Sequence, residues 1–243
     1  MKNDELRSLM LDTAAMKLDF PVDAQDLADM AAELDAIPNE HWYWCTFRES
    51  YLICLYGNPD VNNKKNMDWL PYAKDCHKIK ALCESFVFPM TTVRPRVIVI
   101  RTLPGMKMRQ HTDCYPDEID KLEPKLRLVL KGGDVSPLYY VNEQAEKIHI
   151  PNDWPAYIMS GAALHGMDNN GVEKYTLCWG DPWVGDELEN PEFVAYMTRQ
   201  YELHQDQIIR ISDLGNVDHA SGIKDPKKEK IISWEEWNAR PKD

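Results

Sequence analysis

The chain has 243 residues, 44% hydrophobic and 28% charged, an ordinary globular composition with enough length to bury a core without disulfide staples. Its 28 Lys and Arg stand against 40 Asp and Glu, a net charge of -12, which disfavours nucleic acid as a partner because a phosphate backbone is held by cations. No apolar run approaches the roughly 18 residues of a membrane span, the first twenty residues are too charged for a signal peptide, and six cysteines without a CxxC pair read as reduced thiols, so the expectation is a cytoplasmic chain with no membrane partner. In chain order, the stretch from Asp4 to Leu18 reads as a first amphipathic helix. From Asp23, the residues Leu27, Met30, Ala31, Leu34 and Ile37 recur at the spacing of a second, opened by an acidic turn. After Pro38 come eight short apolar and aromatic runs, at 41–45, 51–56, 96–103, 126–131, 138–141, 147–150, 156–159 and 174–179. They are separated by turn residues such as Gly57-Asn58-Pro59, Gly132-Gly133 and Asn169-Asn170-Gly171, a texture of β-sandwich or barrel. From about Asn190 the pattern is helical again, and the last stretch is polar with a charge run at 225–231. The predicted plan is a helical N-terminal extension over 1–40, a β core over 41–185 and a helical, partly loose C-terminal extension over 186–243, in one structural domain.

Chemistry is expected in the β core, where His111-Thr112-Asp113 follows a strand and a Pro104-Gly105 turn. In extended backbone, residues two apart project to one face, so an imidazole and a carboxylate converge there. The pattern alone is weak, since seven His among this many acids give roughly one such pair by chance. The chain does hold a second one, His204 with Asp206, but in a helical pattern whose geometry points the two side chains apart, leaving His204 as a surface helix residue. A third donor, His165, follows a strand-like run and a small-residue turn. Two His and one carboxylate on one face of a metal leave three positions open, the arrangement of non-haem Fe(II) oxygenases. Nine residues on, Lys174 and Thr176 share one face of a strand, a cation and a hydroxyl suited to a carboxylate. Taken singly, His165 is also readable as a hydrogen-bonded structural residue and Lys174 as a solvated strand lysine. Arg127 is a second cation on a core strand, set either to contact an anion or to pair with a surface carboxylate. Of Tyr139 and Tyr140, alternation lets one face the site. The tryptophans Trp42, Trp44, Trp69, Trp154, Trp179 and Trp183 read as core.

The segments 103–113, 126–131 and 148–183 resemble the core of the 2-oxoglutarate- and Fe(II)-dependent oxygenases. The Pro-Gly before HxD and Lys174-Tyr175-Thr176 are similar to the prolyl hydroxylase branch, and Leu126 to Leu130, His165 to Asn169 and Asp181-Pro182-Trp183 to the aspartyl/asparaginyl β-hydroxylase branch. The resemblance spans about residues 95–183 and implies a double-stranded β-helix of the jelly-roll or cupin type. It further implies His111, Asp113 and His165 as catalytic metal ligands, and Fe(II), 2-oxoglutarate and O2 as cofactor and cosubstrates. Lys174, with Thr176 beside it, is implied as the anchor of the distal 2-oxoglutarate carboxylate. The second branch places its basic residue one position later, at Tyr175, in which register Arg127 supplies the positive charge.

The implied function is hydroxylation of a C–H bond, with release of succinate and CO2, in an amino-acid residue of a peptide or protein. A free amino acid or other small molecule is the alternative substrate. Two further alternatives are a cupin-type metal enzyme without 2-oxoglutarate and a non-catalytic jelly-roll binding module.

Overall fold

The structure, a computed structural model, describes residues 1–45, 50–58, 65–113, 125–132, 138–180 and 187–215, with the backbone of 231–232. Its first turn away from expectation comes early. Helix α1 (Asn3–Leu11) ends at Leu11, and strand β1 (Thr13–Lys17) follows where periodicity predicts one helix as far as Leu18. Ala14, Ala15 and Met16 are fully buried, which a surface helix cannot achieve for three consecutive residues but a strand inside a sheet can. Thr13 fixes the break: its hydroxyl donates to the Leu9 carbonyl and meets the Tyr201 hydroxyl, each at 2.7 Å. Helix α2 (Ala24–Asp35) forms as predicted. Asp23 caps it by accepting from the backbone N–H groups of Gln25 and Asp26, and Asp26 returns a carboxylate to the Asp23 N–H.

Strands β2 (Tyr43–Cys45), β3 (Ser50–Gly57) and β4 (Asp68–Trp69) lead to the short helix α3 (His77–Leu82). Then come β5 (Val97–Thr102), β6 (Lys107–His111), β7 (Lys125–Lys131), β8 (Leu138–Val141), β9 (Lys147–His149), β10 (Ala156–Met159), β11 (His165–Asp168) and β12 (Lys174–Trp179). Helix α4 (Pro191–Leu203), β13 (Ile208–Arg210), α5 (Ile211–Leu214) and β14 (Ile231–Ile232) close the described chain. The larger sheet has the order β13-β1-β10-β7-β12-β5-β3-β2-β14 with β4 against β3, and the smaller β6-β11-β8-β9. From β5 to β12 the chain passes back and forth between the two, so that β5, β7, β10 and β12 lie together on one side and β6, β8, β9 and β11 on the other. This is the jelly roll, or double-stranded β-helix. The sheet does not stop at the predicted core: β1 and β13, from the stretches read as helical extensions, pair with each other and extend it beside β10.

Alternation along β12 divides the interior. Tyr175, Leu177 and Trp179 point outward into the main hydrophobic core, with Met30 and Leu34 of α2, Ile79 of α3 and Phe193 and Met197 of α4. Lys174 and Thr176 point inward, between the sheets. Trp42, Trp44, Trp154 and Trp179 are buried, Trp69 half-buried, and Trp183, like Cys114 and the charge run up to residue 230, lies outside the described residues. Cys45, Cys54, Cys76, Cys83 and Cys178 are buried thiols. His204 corrects a second expectation. It ends α4 as a buried residue, with Nδ1 2.8 Å from Gln207 Oε1 and Nε2 3.1 Å from Asp19 Oδ1. Among the described residues no helix is long and apolar enough to cross a membrane.

Candidate functional site

The smaller sheet brings His111 and His165 together. His111 ends β6, His165 begins β11, and the two are direct partners in the antiparallel pair, which places their ring centroids 4.4 Å apart. A register shift between His165 and Met167 bends this pair where the site forms. Asp113 lies two residues past His111 and just beyond the strand, where its backbone N–H donates to the Gly161 carbonyl at 2.7 Å. Its carboxylate lies 3.4 Å (Oδ1) from His111 Nε2 and 3.8 Å (Oδ2) from His165 Nε2. One donor atom from each of the three residues falls within 4.8 Å of the others, and among the described residues this is the one group of three His, Cys, Asp or Glu side chains that converges so.

The imidazoles are turned for ligation. His111 Nδ1 is 2.8 Å from the Arg109 carbonyl and His165 Nδ1 2.9 Å from the Ala163 carbonyl. A carbonyl oxygen only accepts, so each ring donates from Nδ1 and turns Nε2 towards Asp113. Burial, then the neighbouring His111, pushes the His165 pKa down to about 3, so that ring is neutral through the physiological range. Neutral imidazole is the form that binds metal. Two imidazole nitrogens and one carboxylate on one face are a donor set that fits Fe(II).

The three donors line a cavity of about 300 Å³ between the sheets. On its opposite wall, Lys174 and Thr176 face inward from β12 and Arg127 from β7. Lys174 pairs with Thr102 in the register, at the end of β12 remote from Cys178, and Cys178 is the partner of Arg127. Four residues of strand therefore separate the two cations, roughly 13 Å of rise. Gly132 makes room for the lysine, since a Cβ there would approach Lys174 Cε and Nζ to 3.2 Å. Arg127 is buried and donates to the Leu126 carbonyl at 3.0 Å, and among the described residues no carboxylate pairs with it.

Tyr175 is a correction. Strand alternation turns it out of the cavity, where it stacks on Trp42 at 5.7 Å and donates to Asp35 Oδ1 at 2.7 Å. In the register formed, Tyr175 does not line the cavity that Lys174 and Thr176 face. Of the tyrosine pair, Tyr140 is the inner one, its ring 6.1 Å from that of His165 and its hydroxyl donated to the Ala14 carbonyl at 2.6 Å. Asn169, read from sequence as a turn residue and as the end of the His165 to Asn169 segment, is buried and ties the hairpin between β11 and β12. Its amide donates to the Thr102, Leu103 and Val172 carbonyls, and its oxygen accepts from Gly171. That turn sends His165 to one wall and Lys174 to the other, so its signal was the Asn-Asn-Gly between them.

No family model matches the chain, and no curated protein matches it. Solved structures similar to it include a 2OG-Fe(II) oxygenase family oxidoreductase from Burkholderia pseudomallei (14% identity, TM-score 0.49, 74% of this chain and 90% of that one). A Pseudomonas putida prolyl-4-hydroxylase is also similar (16%, 0.44, 72% and 97%). So is a Trichoplax adhaerens prolyl hydroxylase in complex with a peptide fragment of the hypoxia inducible factor oxygen degradation domain (10%, 0.47, 77% and 93%). Strand order carries the fold at these levels of likeness, and the side chains of the site carry the chemistry.

Proposed function

We propose that the protein is an Fe(II)- and 2-oxoglutarate-dependent oxygenase that hydroxylates a C–H bond, first of all in an amino-acid residue of a peptide or protein. The observation that carries this reading is a pair of walls: two imidazoles and a carboxylate converging on one, and a buried lysine with a hydroxyl beside it on the other. His111, Asp113 and His165 would hold Fe(II), which when bound supplies activation of O2 coupled to conversion of 2-oxoglutarate to succinate and CO2. The chain's own part is binding and orientation. Hydrogen bonds from Nδ1 to the Arg109 and Ala163 carbonyls keep the rings aimed. The Lys174 ammonium and the Thr176 hydroxyl would receive the distal carboxylate of 2-oxoglutarate, a charge-assisted contact shielded from water by the sheets. Arg127 offers a second cation to the cavity, for a carboxylate of the cosubstrate or of an acidic substrate. Trp154, Tyr157 and Met159 close the wall around it and exclude water.

The net charge of -12 favours neutral or basic targets by its field, Arg127 making the local exception. We place the reaction in the cytoplasm, which suits five described cysteines that are all thiols. Incubation with Fe(II), 2-oxoglutarate and panels of peptides and free amino acids tests the reading. Succinate formation with a gain of one oxygen in a peptide supports it. Oxygen gain in a free amino acid moves the substrate class and keeps the chemistry. Metal binding without consumption of 2-oxoglutarate points to a cupin-type enzyme, and no metal binding to a binding module.

A further inference from the structure

Lys125 opens β7, twelve residues after Asp113, and its Nζ lies 2.6 Å from Asp113 Oδ2. The two side chains are 12% and 9% exposed, so this is a shielded ion pair rather than a solvated one. A third segment locks it in place. The Gly161 carbonyl accepts the Asp113 backbone N–H, and a Cβ at Gly161 would lie 2.6 Å from both Asp113 Cβ and Lys125 Nζ. No side chain fits at 161 while the pair stands. The two oxygens have different neighbours: Oδ2 accepts from the ammonium at 2.6 Å and lies 3.8 Å from His165 Nε2, while Oδ1 lies 3.4 Å from His111 Nε2.

We propose that Lys125 is a positioning residue that holds Asp113 as a one-oxygen ligand and so keeps three coordination positions open. The inference rests on the metal reading above and deepens it. Carboxylates bind divalent ions through one oxygen or through both. With both, Asp113 would take one of about three positions that a chelating 2-oxoglutarate and O2 need together. An ammonium beside a metal ion opposes metal binding by Coulomb repulsion, so tighter metal binding is not what this lysine contributes. It contributes geometry, by occupying the lone pairs of Oδ2.

Water-proton relaxation of the full-length protein loaded with Mn(II) reads this directly, because it counts waters on the metal independently of turnover. The wild-type chain is expected to carry about three, one for each open position. Lys125→Met is expected to keep Mn(II) and lose about a third of the relaxation enhancement, with weaker 2-oxoglutarate binding, as both carboxylate oxygens engage. Lys125→Arg is expected to restore the wild-type value, since it returns a cationic donor to Oδ2. Lys125→Leu repeats the loss should the Met variant fold poorly. Wild-type relaxation in folded Lys125→Met or Lys125→Leu, or loss of Mn(II) from both, overturns the inference while leaving the metal reading in place. A wild-type chain that binds no Mn(II) overturns both.

Discussion

The two sheets of the roll bury their residues in opposite ways. On the larger, β12 sends Tyr175, Leu177 and Trp179 into a continuous core shared with the helices, each buried to 1% exposure or less. On the smaller, β6 carries Lys107, Arg109 and Gln110 in solvent and buries His111 at its end. Each large apolar side chain on the first sheet contributes roughly 1.5 to 3 kcal/mol by burial, and the second sheet has few of them beside the site. One wall thus stabilises the roll and the other carries the paired imidazoles. The site needs both, because its imidazoles hang from the thin wall and its cations from the thick one.

Damage to the thick wall is expected to be general. Trp179→Ala removes a fully buried ring whose Nε1 donates to Cys83 Sγ at 3.2 Å, and should cost about 3 to 5 kcal/mol in chemical denaturation. Damage to the thin wall should be local. His111→Ala removes one of three donors and should weaken Mn(II) by at least about 100-fold in calorimetry, beyond the effect of losing an outer hydrogen bond, with little change in unfolding free energy.

Between these lie substitutions on β12 that separate its faces. Lys174→Ala should weaken 2-oxoglutarate by about 10 to 1000-fold and leave Mn(II) affinity nearly unchanged, because only the distal carboxylate loses its partner. Tyr175→Phe, one residue away, should leave 2-oxoglutarate alone and cost about 0.5 to 1.5 kcal/mol of stability through its lost bond to Asp35. Equal losses of 2-oxoglutarate affinity in both would show that the faces are not separated.

Acid offers a further separation. His165 is buried neutral with its pKa pushed down to about 3, against a reference near 6.5 in the unfolded chain. Between these values the unfolded state binds the extra proton, so stability is present in full above about pH 6.5 and falls as pH decreases towards 3. From pH 7 to pH 5 the metal-free protein should lose roughly 2 kcal/mol from this group. His165→Asn should flatten that slope in urea titrations at the two pH values. A similarly small effect is expected far from the site: Asp23→Ala, which uncaps α2, should cost about 1 kcal/mol and leave metal and 2-oxoglutarate binding unchanged.

The same contrast governs what the sequence makes legible. The eight apolar runs all form strands, six in the larger sheet and two, β8 and β9, in the smaller, because apolar and aromatic runs between turns announce strands by composition. Strands β6 and β11 carry the imidazoles and are absent from that list, since Lys107 to His111 holds mostly polar residues and β11 contains Gly166 and Asp168. Strand β1 reads as helix because its short apolar run fits either period, and sheet pairing decides it. The meeting of His111, Asp113 and His165 is legible through HxD spacing and a later His at a strand end. Lys174 and Tyr175 are separable only once pairing with β5 and β7 fixes the face of each. The contact of Lys125 with Asp113 has no local signature at all, since it depends on three segments meeting at Gly161.

In the proposed function a metal and a cosubstrate share one cavity, and a calorimetric titration tests this most directly: Mn(II) into the wild-type protein, then 2-oxoglutarate, without oxygen. One Mn(II) per chain is predicted, with 2-oxoglutarate binding that is strong only after the metal is in place and is lost in Lys174→Ala. No Mn(II) binding, or 2-oxoglutarate binding equally well without the metal, would contradict it.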